Sequence, residues 1–249
     1  MIVLKNAQEL HSMSEACRLS NAALWSVADY MQPGVTTKEL DHIIHKFIVQ
    51  SGAKPSFLGL YGFPGSACIS INQQVIHGIP SGKVKLKDGD VVSVDVGAYY
   101  EGFHGDNAYT FAVGQIPEEA QQLLRVTEEC LMKGIEQAIP GNRIGDVSNA
   151  VQCHAESYGY GVVREYVGHG VGRELHEDPE VPNFGKAGRG VRLVPGMTIA
   201  IEPMINLKGA AVKTLSDGWT VETVSGSISA HFEHTVAITE TGAKILTLR

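Results

Sequence analysis

Two aspartates carry the first chemical signal in the chain. Asp95 closes the valine-rich run V-V-S-V-D-V at 91–96, where period-two alternation puts its side chain on the face shared by Val91 and Ser93. The following segment reads as a hairpin centred near Tyr100-Glu101, a register that sets Asp95 directly opposite Asp106. Cross-strand neighbours have Cβ atoms about 4.5–5.5 Å apart, and two ionised carboxylates that close repel each other unless a cation lies between them. A single aspartate is more often a solvated surface or turn residue. The pair favours a metal. Glu202, ending the apolar run I-A-I-E at 199–202, and Glu233, opening E-H-T-V at 233–236, are equally costly choices for buried strand ends without a charge partner. His169 sits between Gly168 and Gly170 on an uncrowded, turned backbone, although a lone histidine is more often a structural hydrogen-bonder.

Helices and strands must bring these groups together. Apolar residues at 10, 13, 17, 24, 27 and 31 mark one face of a helix running from about residue 7 to 31. After Pro33-Gly34, the T-T-K-E at 36–39 is a capping box, and Leu40, Ile43, Ile44, Phe47 and Ile48 form the stripe of a second helix. The period changes to that of strands over 66–80 and 90–112. A second helical pair is expected over 117–138 and 143–158, followed by strands from about 161 onward. The halves, roughly 1–112 and 113–249, echo one another. Pro33-Gly34 and Pro140-Gly141 each precede a helix, and Asp95 and Glu202 each lie six residues after a glycine, Gly89 or Gly196. All these pairs are separated by the same number of residues, and His77-Gly78-Ile79 and His169-Gly170-Val171 precede the respective acids. The pattern indicates a duplicated α/β unit about a pseudo-twofold axis.

With 43% hydrophobic residues the chain can bury a large core, and one single domain spanning 1–249 is expected. The net charge of −7 and the lack of a basic cluster argue against a nucleic acid or an anionic membrane as the main partner. Cys17, Cys68, Cys130 and Cys153 form no C-x-x-C pair, so reduced thiols are expected. The N-terminus lacks the apolar core of a signal peptide, and no stretch approaches a membrane span, so a cytoplasmic enzyme is expected.

The segments I-S-I-N at 69–72, H-G-I-P at 77–80, D-V-G-A at 95–98, F-H-G-D at 103–106, G-H-G-V-G at 168–172, L-H-E-D-P at 175–179, A-I-E-P-M at 200–204 and E-H-T at 233–235 together resemble the type I methionine aminopeptidases, in their short bacterial form. The resemblance covers nearly the whole chain. It implies the pita-bread fold, a pseudo-twofold α/β (α+β) arrangement of helix pairs on a curved, mainly antiparallel sheet. It also implies hydrolytic removal of an N-terminal initiator methionine, with a small second residue preferred.

By the same resemblance Asp95, Asp106, His169, Glu202 and Glu233 hold two divalent metal ions. The oxygen-rich set suits manganese or iron(II), with cobalt, zinc or nickel as substitutes. Glu202 is implied as proton shuttle, His176 as donor to the oxyanion, and His77 as a group near the amide beyond the scissile bond. Phe57, Leu60, Tyr61, Phe63, Cys68, Leu175 and Trp219 are the candidates for an apolar methionine pocket, with Leu60 and Leu175 replacing aromatics of some relatives. His104, His231 and His234 are candidates to support the ligands. A monovalent cation, sodium or potassium, is implied near Asn72, Gln74 and Ser229. The implied partners are nascent polypeptide and peptide N-termini and the ribosome, with the enzyme a monomer. Met1 is expected to survive because Ile2 is bulky. The competing readings are a proline-specific aminopeptidase of the same fold, which commonly carries an extra N-terminal domain, and a non-catalytic binding protein.

Overall fold

Asn6 opens the first helix as its residue type allows. Its side-chain oxygen accepts the N–H groups of Gln8 and Glu9, and the Glu9 carboxylate accepts the Asn6 N–H. A computed structural model describes residues 2–248 of the chain. In order, it contains α1 (Ala7–Trp25), a 3₁₀ turn (Ala28–Tyr30), α2 (Thr37–Gln50), β1 (Lys54–Pro55), a second 3₁₀ turn (Leu60–Gly62), β2 (Ala67–Ile71), β3 (Gln74–Ile76), β4 (Val91–Tyr100) and β5 (Phe103–Ala112). Then follow α3 (Glu118–Gln137), α4 (Ile144–Ser157), β6 (Gly161–Val162), β7 (Gly168–Gly170), β8 (Glu177–Val181), β9 (Thr198–Ile201), β10 (Met204–Asn206), β11 (Val212–Thr214), β12 (Val221–Thr223), β13 (Ser229–His231), β14 (Glu233–Thr239) and β15 (Gly242–Ile245).

The first helix ends six residues short of the expected limit. Ser26 caps it, with its N–H shared between the Ala22 and Ala23 carbonyls and its hydroxyl turned back to Ala23. Val27 and Met31 nevertheless pack on the same core as Leu24, so the apolar period outlasts the backbone helix. The second helix begins where the sequence indicates, with Thr36 and Glu39 exchanging both bonds of the capping box.

The main sheet has the order β1-β4-β5-β14-β9-β7-β8, with β2 also paired to β4 and β15 to β14, all antiparallel. Val92, Val94, Val96 and Ala98 of β4 pack with Leu24, Leu40, Ile44 and Ile48 of α1 and α2. Leu123, Val126, Cys130, Val147 and Val151 of α3 and α4 pack with Ile199, Ile201, Val236 and Ile238 of β9 and β14. Each helix pair therefore covers one half of the sheet, and the alternate residues of the same strands are turned to the other face.

The repeat is written in the backbone bonds. Gly34 N–H donates to Leu86 O at 2.8 Å and Leu86 N–H to Val35 O; Gly141 N–H donates to Leu193 O at 3.0 Å and Leu193 N–H to Asn142 O. Thr36 bridges Lys85, and Arg143 bridges Arg192. Every residue in the second set is the counterpart of one in the first at the spacing found in the sequence. Among the described residues, no helix is long and apolar enough to cross a membrane.

α1 lies directly on β5 at Gly105, where an added Cβ would come within 2.4 Å of Cys17 N and 2.5 Å of Ala16 C. Backbone cannot yield as a side chain can. Gly105→Ala is expected to destabilise the fold by about 1–3 kcal/mol or more, read as a lower urea midpoint at unchanged slope. An unchanged midpoint would mean that α1 is not seated against β5 as described.

Candidate metal centre and peptide cleft

The β4–β5 hairpin turns on Glu101-Gly102, with φ of +49° and +87°. A two-residue turn with both central residues at positive φ is type I′, and glycine at its second position suits it. The turn lies one residue later than the sequence suggested, so the expected register is corrected. Asp95 pairs with Ala108, and Asp106 pairs with Gly97. The two acids still share a face, displaced diagonally by one alternation.

β4, β5, β14, β9 and β7 are consecutive neighbours in the sheet, and each contributes one member of a cluster. Asp95 comes from β4, Asp106 from β5 and Glu233 from the first position of β14. Glu202 directly follows β9, and His169 is the middle residue of β7. Ligand-capable atoms of Asp106, His169 and Glu233 all lie within 4.8 Å of one another. His169 Nε2 is 3.7 Å from Asp106 Oδ2 and 3.5 Å from Glu202 Oε1. His169 Nδ1 lies 2.8 Å from the Gly170 carbonyl, which can only accept. The proton of the neutral ring therefore sits on Nδ1, and the Nε2 lone pair faces the acids.

The electrostatics demand a counter-charge. Asp95 Oδ1, Asp106 Oδ1 and Glu233 Oε1 are buried without a hydrogen-bond partner. Burial, and then the charge of Asp106, push Asp95 and Glu233 well above the usual carboxylate range. Burial raises Asp106 to about 7, against the opposing pull of His169. Bare carboxylate oxygens converging with an unprotonated imidazole nitrogen form an oxygen-rich donor set that fits a hard divalent cation.

The cluster forms one wall of a cavity of about 510 Å³, also lined by Tyr61, His77, Tyr166 and His176. Phe57, Leu60, Phe63, Cys68, Leu175, Ile79 and Trp219 pack together at its apolar end, with the Phe63 and Trp219 rings 5.1 Å apart. The rings of His169 and His176 stand 4.5 Å apart at 77°. Burial first, and then neighbouring His169, lower His176 to about 4. Burial also lowers His77, whose ring meets Tyr166 and Trp219 edge-on and whose backbone is held at φ +58°.

Residues 11–240 match metallopeptidase family M24. The chain belongs to this family. A methionine aminopeptidase of Clostridium perfringens is 55% identical over 248 residues, spanning 100% of this chain and 99% of that protein. Methionine aminopeptidase 1 of Bacillus subtilis is 52% identical over 99% of both chains. The crystal structure of methionine aminopeptidase from Thermotoga maritima superposes with a TM-score of 0.98 at 46% identity, each chain fully covered. The prolidase of Pyrococcus furiosus gives a TM-score of 0.80 at 26% identity, and the match takes in 66% of that longer chain. The fold is thus the pita-bread fold, and membership of a metallopeptidase family implies a divalent metal.

In this M24 peptidase the expected acids and His169, His77 and His176 all reach one cavity, but the other candidates divide. Tyr61 lines the mouth rather than the apolar end; it is 78% exposed and stacks over His176 at 6.3 Å. His231 does approach the acids, its Nε2 lying 3.5 Å from Glu202 Oε2 outside hydrogen-bonding geometry. His104 Nδ1 is hydrogen-bonded to the Ser56 hydroxyl and His234 Nδ1 to that of Thr247, each through one ring nitrogen. Ser229 N–H donates to the Asn72 carbonyl, and Gln74 opens β3, which pairs with β12 and also packs against β13, the strand that carries Ser229. Ile76 lines the cavity but was absent from the sequence-derived pocket; its signal was its place directly before His77 in I-H-G-I-P. Tyr166 left no such signal.

Because Asp95, Asp106 and Glu233 have folded-state values above those of an unfolded chain, the metal-free fold holds protons more tightly than the unfolded chain. Their contribution is greatest below the ordinary carboxylate range and is lost as pH rises through about 7 for Asp106. Metal-stripped protein should therefore melt at a lower temperature at about pH 8 than at about pH 5. Asp106→Asn should reduce that difference, and manganese should restore wild type at the higher pH but not the variant. Equal pH dependence in the two proteins would contradict the electrostatic account.

Proposed function

We propose that this protein is a divalent-metal-dependent methionine aminopeptidase, a single catalytic domain that removes the N-terminal methionine of nascent proteins and peptides whose second residue is small. The observation that carries the reading is the junction, in one cavity, of the buried acid cluster with the apolar end formed by Phe57, Leu60, Phe63, Cys68, Leu175 and Trp219. An unbranched, polarizable thioether suits such a lining of aromatic rings and sulfur. Burial holds the Cys68 thiol well above its usual value, so its sulfur stays neutral and apolar against the substrate.

Asp95, Asp106, His169, Glu202 and Glu233 are the residues that would hold two divalent ions, manganese or iron(II) in preference to cobalt, zinc or nickel. Bound there, the ions supply Lewis-acid polarisation of the scissile carbonyl and acidify water. The free, unprotonated α-amine of the substrate, a group that an internal peptide bond lacks, would also be taken by the ions these residues hold, which makes the activity an exopeptidase one. Glu202 takes the proton of the attacking water and passes it to the departing amide nitrogen. His176, kept neutral by burial, donates an N–H to the oxygen on which negative charge develops. His77 orients the amide beyond the cut. Backbone oxygens near Asn72, Gln74 and Ser229 would hold a sodium or potassium ion. A cytoplasmic monomer working on chains as they leave the ribosome completes the proposal. Met1 lies outside the described residues, and its retention before Ile2 follows from the preference for a small second residue.

The proposal is tested with Met-Ala-Ser, Met-Ile-Ser and Ala-Pro-Ser, offered to metal-stripped protein resupplied with each metal in turn. Only Met-Ala-Ser should be cleaved efficiently, and Asp106→Asn should abolish the activity. His176→Ala should lower kcat by about 10²–10³-fold, the usual loss for one oxyanion donor. Preference for Ala-Pro-Ser would replace the methionine reading with a proline-specific one, and full activity of the His176 variant would remove that residue's assigned role.

A further inference from the structure

Among the described residues Lys5 is the only buried lysine or arginine, its side chain 3% exposed. An ammonium withdrawn from water needs a close and well-bonded partner to offset its desolvation. Lys5 Nζ lies 2.5 Å from Glu177 Oε2, itself largely buried, and donates to the Val3 carbonyl at 3.1 Å. The Lys5 N–H donates to Gly196 O in the turn before β9, so the backbone beneath the side chain is tied down as well.

Glu177 is the residue after His176 and the first of β8. Its other oxygen, Oε1, accepts the Glu174 N–H at 3.3 Å. The loop joining β7 to β8 passes so close above the ion pair that a Cβ on Gly172 would lie 2.4 Å from Glu177 Oε1 and 2.6 Å from Lys5 Nζ. That loop has His169 just before it and His176 at its far end. A second tie from the same end of the chain joins Glu9 of α1 to Arg173 at 3.0 Å, with the guanidinium 4.7 Å from the centre of the Phe103 ring, but this pair is largely exposed and contributes less.

We infer that Lys5 is a positioning residue for His176. The buried Lys5–Glu177 pair fixes the far end of the β7–β8 loop and so holds the His176 ring against His169 at the cleft. Lys5 touches no reacting atom and acts through Glu177. The inference rests on the reading of His176 as the oxyanion donor, for which a displacement of about 1 Å is enough to lower turnover roughly 10²-fold. It makes the short segment preceding α1 part of the support of the active site, although it lies far from His176 in sequence.

The test is kcat and KM for Met-Ala-Ser of manganese-loaded wild type, Lys5→Met, Glu177→Gln, His176→Ala and the Lys5→Met/His176→Ala double variant, each with its thermal unfolding curve. Lys5→Met should lower kcat by about 10- to 10²-fold with KM little changed, and should cause no further loss once His176 has been removed. Glu177→Gln keeps the side-chain volume and an acceptor for Glu174. It serves in the same cycle where Lys5→Met does not fold, and it should show the same dependence on His176. Loss of kcat by an equal factor with and without His176, or unchanged kcat in a variant that has merely lost thermal stability, would overturn the inference. A wild type inactive toward Met-Ala-Ser with every metal would instead defeat the functional reading on which it rests.

Discussion

Mutual repulsion among buried carboxylates governs this structure. Asp95, Asp106 and Glu233 keep oxygens away from water with no hydrogen bond, and Glu202 stands beside them against His169. Few arrangements can hold such a group together. Adjacent strands lie about 4.7–4.9 Å apart, so in a flat sheet the outer two of five strands would stand roughly 19 Å apart; the curl of this sheet is what lets five neighbouring strands turn one side chain each to a common patch. Helix pairs behind the sheet supply the apolar burial that makes the strands rigid enough to hold like charges in place. A cation bound at the patch reverses its sign from destabilising to stabilising, because the ion binds the folded chain and not the unfolded one.

The duplicated architecture explains how two acids from separate halves come to face one another. Asp95 and Glu202 occupy equivalent positions, each six residues beyond a glycine with φ +91°. The hydrogen bonds around Gly34 and Leu86 recur around Gly141 and Leu193. Asp106 on β5 and Glu233 on β14 lie between these two related acids, and His169 on β7 lies beyond Glu202. The apolar end of the cavity is built differently, from the 57–68 segment together with Leu175 and Trp219, and so has no mirrored copy. Symmetry accounts for the framework of the metal patch, and the departures from symmetry account for the cleft's specificity.

Much of this was legible in the sequence where a residue type has one structural use. Thr36 and Glu39 announced the start of α2, the valine alternation announced β4, and acids at the ends of apolar runs announced the cluster. Turn position was harder to read. Glu101 adopts a left-handed backbone conformation that a glutamate seldom takes, and the true register of Asp95 and Asp106 depends on it. The end of α1 was hidden because Val27 and Met31 extend the apolar stripe beyond the helix. Side chains whose surroundings come from distant segments could not be sorted at all. Lys5 reads as an ordinary surface lysine, His104 and His234 read like His231, and Tyr61 reads like Phe63. Only the folded chain separates them, through Glu177, Ser56, Thr247 and His176.

The central claim is that the five residues from β4, β5, β14, β9 and β7 form one centre for divalent cations. Anomalous diffraction from crystals grown with manganese tests it directly. The account predicts two strong peaks enclosed by Asp95, Asp106, His169, Glu202 and Glu233, both weakened or lost in Asp106→Asn. Peaks only at other acidic positions, or none at this cluster in a well-ordered crystal, would contradict it.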